Sequence, residues 1–167
     1  EAHSYESILQ ECQGMVDHLD GSWTLHECLI LNYGDVIVEI LKLEGLGCSQ
    51  FVAAGAATAS GDLIHGRNLD WWEVEFIEQY PVVFVREPDD GIPWVAVGFP
   101  ANMSPYTGMN AAGIAVASNE VNAPLESELA REGRSHVQMV REVLRTCATL
   151  EEAEAYQQLI RRFRLKQ

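Results

Sequence analysis

At Cys48 the chain changes rhythm, and that change restricts its fold more than any other feature. Ahead of it, apolar residues recur at helical spacing. After it they fall into short runs parted by turn signals, until helical spacing returns beyond Pro124. The runs CSQFVAAGAAT and DLIHGRN flank ASGD and read as a hairpin. YPVVFVRE and IPWVAVGF repeat the arrangement around PDDG, whose proline and glycine suit a tight turn. MNAAG is a further turn, followed by the strand IAVASNEV. The expected class is α+β, an antiparallel block of strands between two groups of helices. These strands are apolar on both faces, so each face needs a cover, and helices on both sides supply the simplest one.

The flanking helices carry their own signals. YESILQECQGMVDHL sets Ile8, Leu9, Cys12, Met15, Val16 and Leu19 close to one face. Thr24 and Glu27 form a T-x-x-E capping box ahead of CLILNYGDVIVEILKL, which is helical at first and ambiguous in its β-branched DVIVEI. Ser135 and Gln138 read as an S-x-x-Q cap before MVREVLRTC. Thr149 and Glu152 cap a last helix that ends in RRFRLK, where basic residues favour the helix dipole.

Bulk properties exclude several function classes. A chain of 167 residues is enough for one domain, burying roughly 70% of its unfolded surface. The net charge is -14, from 11 basic and 25 acidic residues. Nucleic acid and anionic membrane surfaces need a positive patch, so neither is an expected partner. No apolar run approaches the roughly 20 residues of a membrane span. The acidic, amphipathic start EAHSYESILQECQ is no signal peptide, and without an initiator Met it reads as processed or as a piece of something longer. Cysteines stand at 12, 28, 48 and 147 with no C-x-x-C pair. That spacing does not suit zinc, and a disulfide framework is not expected at this length and cysteine density. Cys12, Cys28 and Cys147 read as core thiols on helical faces, and a reducing, cytoplasmic compartment is the default.

Cys48 is different because Gly47 precedes it. Most free cysteines are small buried hydrophobes. Gly47, lacking a Cβ, leaves its carbonyl open to close approach. Were the Gly47–Cys48 bond cut, Cys48 would carry a free α-amine with a pKa of roughly 7.7 to 8, able to serve as the thiol's own base. In HGRNLD, Arg67 and Asp70 are opposite charges among apolar neighbours, and a structural ion pair is the plain reading. The functional reading has Arg67 favour the thiolate and Asp70 hold the α-ammonium. Their spacing does not suit one strand face, so they converge only if the chain bends near Asn68. Asn119 and Glu120 close an apolar strand, where an amide can supply an oxyanion donor. Trp71, Trp72 and Trp94 are candidates to line an acyl pocket, although large aromatics are more often core. His65 offers a Cys–His alternative without a papain-type signature, and His136 is expected on the surface.

Taken in order, GCSQFVAAG, GDLIHGRNLDW and GMNAAGIAVASNEV resemble the amino-terminal-nucleophile (Ntn) hydrolases. Within them the chain is most similar to the C45 peptidases, the acyl-coenzyme A:6-aminopenicillanic acid acyltransferase-like proteins. It is similar more distantly to acid ceramidase, N-acylethanolamine acid amidase and choloylglycine hydrolase. The resemblance implies αββα layers and a helical, propeptide-like segment over 1–47. Residues 48–167 would then be the front part of the catalytic domain, incomplete at its carboxyl end.

By the same resemblance Cys48 matches the nucleophile freed by cleavage after Gly47. Arg67 and Asp70 match the arginine and aspartate of GRN-x-D, Asn119 the oxyanion asparagine, and Glu120 the glutamate beside it. The implied activity is hydrolysis or transfer at linear amides, with a small-molecule amide or apolar acyl compound as partner and with no metal or organic cofactor. Relatives carry another catalytic asparagine, and often an arginine, on later strands without a counterpart here. This chain is therefore expected to stay joined at Gly47–Cys48, to present an open sheet edge able to pair with a second copy, or to serve only in binding or assembly.

Overall fold

A computed structural model describes residues 4–33, 47–70, 78–119 and 135–156. Its class is α+β with antiparallel sheets, as the sequence leads one to expect. Helices α1 (Glu6–Asp17) and α2 (Leu25–Leu31) come first. Strands β1 (Gly47–Ala53) and β2 (Ile64–Asp70) form a two-stranded sheet. Then β3 (Val82–Arg86), β4 (Trp94–Gly98), β5 (Thr107–Asn110) and β6 (Ala115–Ala117) form a four-stranded sheet in chain order. Helix α3 (His136–Thr146) follows, and residues 150–156 are helical. The segment DVIVEI lies outside the described residues.

α1 and α2 pack around Ile8, Cys12, Cys28, Leu29 and Met103. Leu19, expected on this face, lies past the helix end and is exposed. Cys12 and Cys28 are not separate thiols: they are joined by a disulfide with their Cα atoms 5.8 Å apart. The sequence reading fails here because their separation of 16 residues spans two helices, and only the packing of those helices brings them together. Closing a loop of that length contributes about 3 kcal/mol in the chain-entropy model. Such bonds persist best in oxidising surroundings.

The capping box on α2 is formed as expected. Glu27 N–H donates to Thr24 Oγ1, and Thr24 N–H donates to Glu27 Oε2 at 2.7 Å. The Thr24 side-chain and backbone bonds hold the Glu27 carboxyl below its ordinary range. The folded state therefore favours the carboxylate. Its contribution is complete above the unfolded value and is lost as pH falls through the folded one. Acidification through that lowered value should thus fray the start of α2. Glu27→Gln, which keeps capping capacity, should flatten that response when amide exchange at residues 25–28 is followed against pH.

The box read at Ser135 is absent, since Ser135 makes no side-chain capping bond at the α3 N-terminus. Gln138 is fully buried instead, and its Nε2 donates to Ser4 Oγ at 3.3 Å and Asn32 O at 3.5 Å. A buried amide takes the partners its tertiary surroundings offer. The last cap is present, with Glu152 N–H donating to Thr149 Oγ1 and Thr149 N–H to Glu152 Oε2.

One face of the four-stranded sheet meets α3. Trp94 and Ala96 pack on Val140 and Leu144, with Val116 beside them. Gly108 makes this contact possible. A Cβ there would lie 2.6 Å from Leu144 Cδ1 and 2.8 Å from Val95 O, and the backbone oxygen cannot step aside. Gly108→Ala should cost about 2 kcal/mol by overpacking, measured as a lower denaturation midpoint. Among the described residues, the opposite face is not covered as expected. Val83, Val85, Val97 and Met109 are each more than half exposed, and no described helix packs on them.

The leading helices are bound closely to the rest. Glu11 pairs with Arg86 at 3.0 Å and with Arg141, a nearly buried residue of α3. Asn32, also buried, donates through Nδ2 to Ala101 O and accepts at Oδ1 from Ser104 N–H. Ala101 has φ +62°, so Asn32 braces a backbone turn that an alanine does not favour by itself.

Candidate active site

The hairpin register decides which side chains can meet. Cys48 pairs with Leu69, Gln50 with Arg67 and Val52 with His65. Alternation along each strand puts Cys48, Gln50, Arg67 and His65 on one face. There Arg67 Nη2 donates to Cys48 Sγ at 3.2 Å. The same nitrogen donates to Ser118 O at 2.7 Å, just past the end of β6. One guanidinium thus joins β1, β2 and the segment that carries Asn119.

Arg67 is half-buried, and burial pulls its guanidinium down from its ordinary value. Cys48, Tyr106 and Asp70 act in the opposite direction. An arginine remains charged under such a shift. A fixed cation beside the sulfur stabilises negative charge there during attack on a carbonyl. Two polar atoms nearby in sequence to these contacts remain open: Arg67 Nε and Asn119 Oδ1 are buried without a hydrogen-bond partner. Unpaired buried polar atoms are costly, and a bound amide has both a donor and an acceptor to offer.

Asp70 does not share the face of Cys48. β2 runs unbroken from Ile64 to Asp70, with no bend at Asn68, so Asp70 alternates to the other side. It is exposed, pairs with Gly47 in the register, and accepts a hydrogen bond from Asn68 Nδ2. The expected convergence of three side chains is therefore corrected to two, with Asp70 next to the Gly47–Cys48 peptide from the opposite face. A backbone nitrogen lies in the plane of the sheet and belongs to neither face.

A Cβ at Gly47 would lie 3.9 Å from Asp70 Oδ2, an ordinary contact, so no clash explains the glycine. The steric reason read for Gly47 is not visible in the strand. His65 Nε2 shares a hydrogen bond with Gln50 Oε1 at 2.9 Å, and the hairpin holds no Cys–His pair.

Trp94 is core rather than pocket: it is 5% exposed beneath α3, with the Arg141 guanidinium 6.0 Å from its ring centre. Trp71, Trp72 and Glu120 lie outside the described residues. Cys147 is a buried free thiol in another cluster, with Ile114, Met139 and Val143.

Sequence reasoning missed three residues here. Tyr106 is buried and acts on Arg67 electrostatically. Ser118 contributes its carbonyl oxygen, which no side-chain pattern announces. His136, expected on the surface, is half-buried, and its Nδ1 shares a 3.2 Å hydrogen bond with Ser118 Oγ. The polar Ser118–Asn119 step at the end of an apolar run is the available signal.

Comparison with family models, with curated proteins and with solved structures finds no match to this chain. Among the described residues, no group of three or more His, Cys, Asp or Glu side chains is placed to hold a metal ion. None of the described helices is long and apolar enough to cross a membrane.

Proposed function

We propose that the chain is an Ntn amide hydrolase or acyltransferase of the C45 type, acting on linear amides through a thioester on Cys48. The observation that carries this reading is Arg67 Nη2, bonded to both Cys48 Sγ and Ser118 O. It links the three quoted motifs, far apart in sequence, around one sulfur. The αββα layering is supported by a sheet with α3 on one face, a bare apolar face on the other, and a separate β1–β2 hairpin.

In the proposed reaction the Cys48 sulfur attacks the amide carbonyl while Arg67 stabilises charge on the sulfur. The Asn119 amide and Arg67 Nε–H are the candidate donors to the tetrahedral oxyanion. The amine departs with a proton, leaving a thioester that water or a second amine then opens. The same attack on the Gly47 carbonyl exchanges the Gly47–Cys48 amide for a thioester; water opens it, leaving the Gly47 carboxylate, the free Cys48 thiol and the α-amine that serves as base thereafter. Asp70, paired with Gly47 in the register, is the candidate to hold the resulting ammonium. Glu120 keeps the supporting role that the resemblance gives it.

A second reading is a non-catalytic chain that binds or assembles through its sheet. The bare face of Val83, Val85, Val97 and Met109 favours it, as do the β3 and β6 edges. The full chain, incubated with a medium-length acyl thioester and mapped by peptide mass, separates the two. An acyl group on the Cys48 peptide supports the enzyme and does not require the chain to be cut. A split before Cys48 in denaturing mass spectra adds the autoproteolytic step. Neither adduct nor split leaves the second reading.

A further inference from the structure

We propose that Ser118 and His136 form a positioning pair that sets the reactivity of Cys48 by fixing the Arg67 guanidinium. This inference rests on the thiol–guanidinium reading above and adds a control that lies outside the quoted motifs. Ser118 uses each of its polar groups. Its N–H donates to Tyr106 O at 2.9 Å, its carbonyl accepts from Arg67 Nη2 at 2.7 Å, and its hydroxyl is bonded to His136 Nδ1 at 3.2 Å. One residue past β6 is thereby pinned from β2, from the turn before β5 and from the first residue of α3.

The consequence follows from geometry. Arg67 Nη2 is divided between a sulfur and a carbonyl, so its place over the thiol depends on where that carbonyl stands. Ser118 lies beyond the last ladder pair of the sheet, Thr107 with Ala117. No strand pairing fixes its carbonyl beyond the bond to Tyr106 O, and the hydroxyl–imidazole bond is the second restraint. α3 is anchored by a buried core of Val137, Val140, Val143 and Leu144. His136 therefore transmits the position of a rigid helix to Arg67, and through it to Cys48. Neither residue touches the sulfur in the contacts described, so both are positioning residues.

The test is the rate of Cys48 alkylation by iodoacetamide at pH 7 in the full chain, read by peptide mass, with labelling of the buried Cys147 as the control for unfolding. Ser118→Ala and His136→Ala should each slow Cys48 about five-fold, as expected when a cation beside a thiol is loosened, and leave Cys147 unchanged. His136→Asn, whose amide reaches the Nδ1 position, should restore most of the rate. A purely structural role predicts no selective change at Cys48 and no such rescue. Arg67→Ala is the reference variant and should slow Cys48 more than either. If Arg67→Ala slows alkylation while Ser118→Ala and His136→Ala do not, the positioning pair is wrong and the thiol–guanidinium reading stands. If Arg67→Ala also leaves the rate unchanged, both are wrong. Should His136→Ala fail to fold, Ser118→Ala decides, because it removes one hydroxyl and keeps the carbonyl.

Discussion

Cys48→Ala should abolish acyl uptake from a thioester donor, by at least about a thousandfold, while the chain keeps its fold. The size of the effect follows from covalent catalysis: with no sulfur, no acyl-enzyme forms, and the remaining donors cannot replace the missing bond. The fold should survive because the change removes one half-buried atom at the start of a strand. Arg67 loses its contact with the sulfur but retains Ser118 O. A melting midpoint within a few degrees of the parent corresponds to about 1 kcal/mol at this chain length. Cys48→Ser should retain slow uptake, since a hydroxyl is the weaker nucleophile at neutral pH. Labelling of Cys48→Ala at the parent rate, on any residue, would rule out the covalent mechanism.

Much of this site was legible because turn chemistry and alternation are local properties. ASGD between two apolar runs gave the hairpin, and the hairpin gives the Cys48–Arg67 face directly, through register. The same alternation argument was the reason to doubt that Asp70 would join them. The unbroken β2 upholds the doubt over the motif-based expectation. Tertiary facts were not legible. The Ser118 carbonyl, the disulfide between two helices and the covered face of Trp94 each depend on how elements pack, and no periodicity encodes that. MNAAG reads as a turn, yet its Met109 and Asn110 belong to β5, where pairing with Val95 and Trp94 of β4 holds them. Capping boxes divided along the same line. Thr24–Glu27 and Thr149–Glu152 sit in exposed turns and formed, while Gln138 was drawn into the core.

Asn110 illustrates the same limit, and its replacement should have the largest effect on stability. In sequence it looks like an ordinary turn residue of MNAAG. In the fold it is 4% exposed and its side chain makes four hydrogen bonds. Nδ2 donates to Leu144 O at 3.0 Å and Cys147 O at 2.7 Å, which satisfies carbonyls at the end of α3. Oδ1 accepts from Ala112 N–H at 3.1 Å and Ile114 N–H at 2.9 Å, which shapes the turn between β5 and β6. One amide thus joins the helix end to the sheet. Asn110→Ala leaves two carbonyls and two amides without these partners. At roughly 1 kcal/mol or more for each buried group, the loss should reach about 4 kcal/mol. For a chain of this length that is a fall of about 10 °C in the melting midpoint. Asn110→Asp is the sharper variant. It keeps the acceptor for both turn amides but sets a carboxylate against the Leu144 and Cys147 carbonyls, so it should do no better than alanine at neutral pH. If Asn110→Asp instead melts with the parent protein, the Leu144 and Cys147 bonds contribute little and the stability must come from the turn alone.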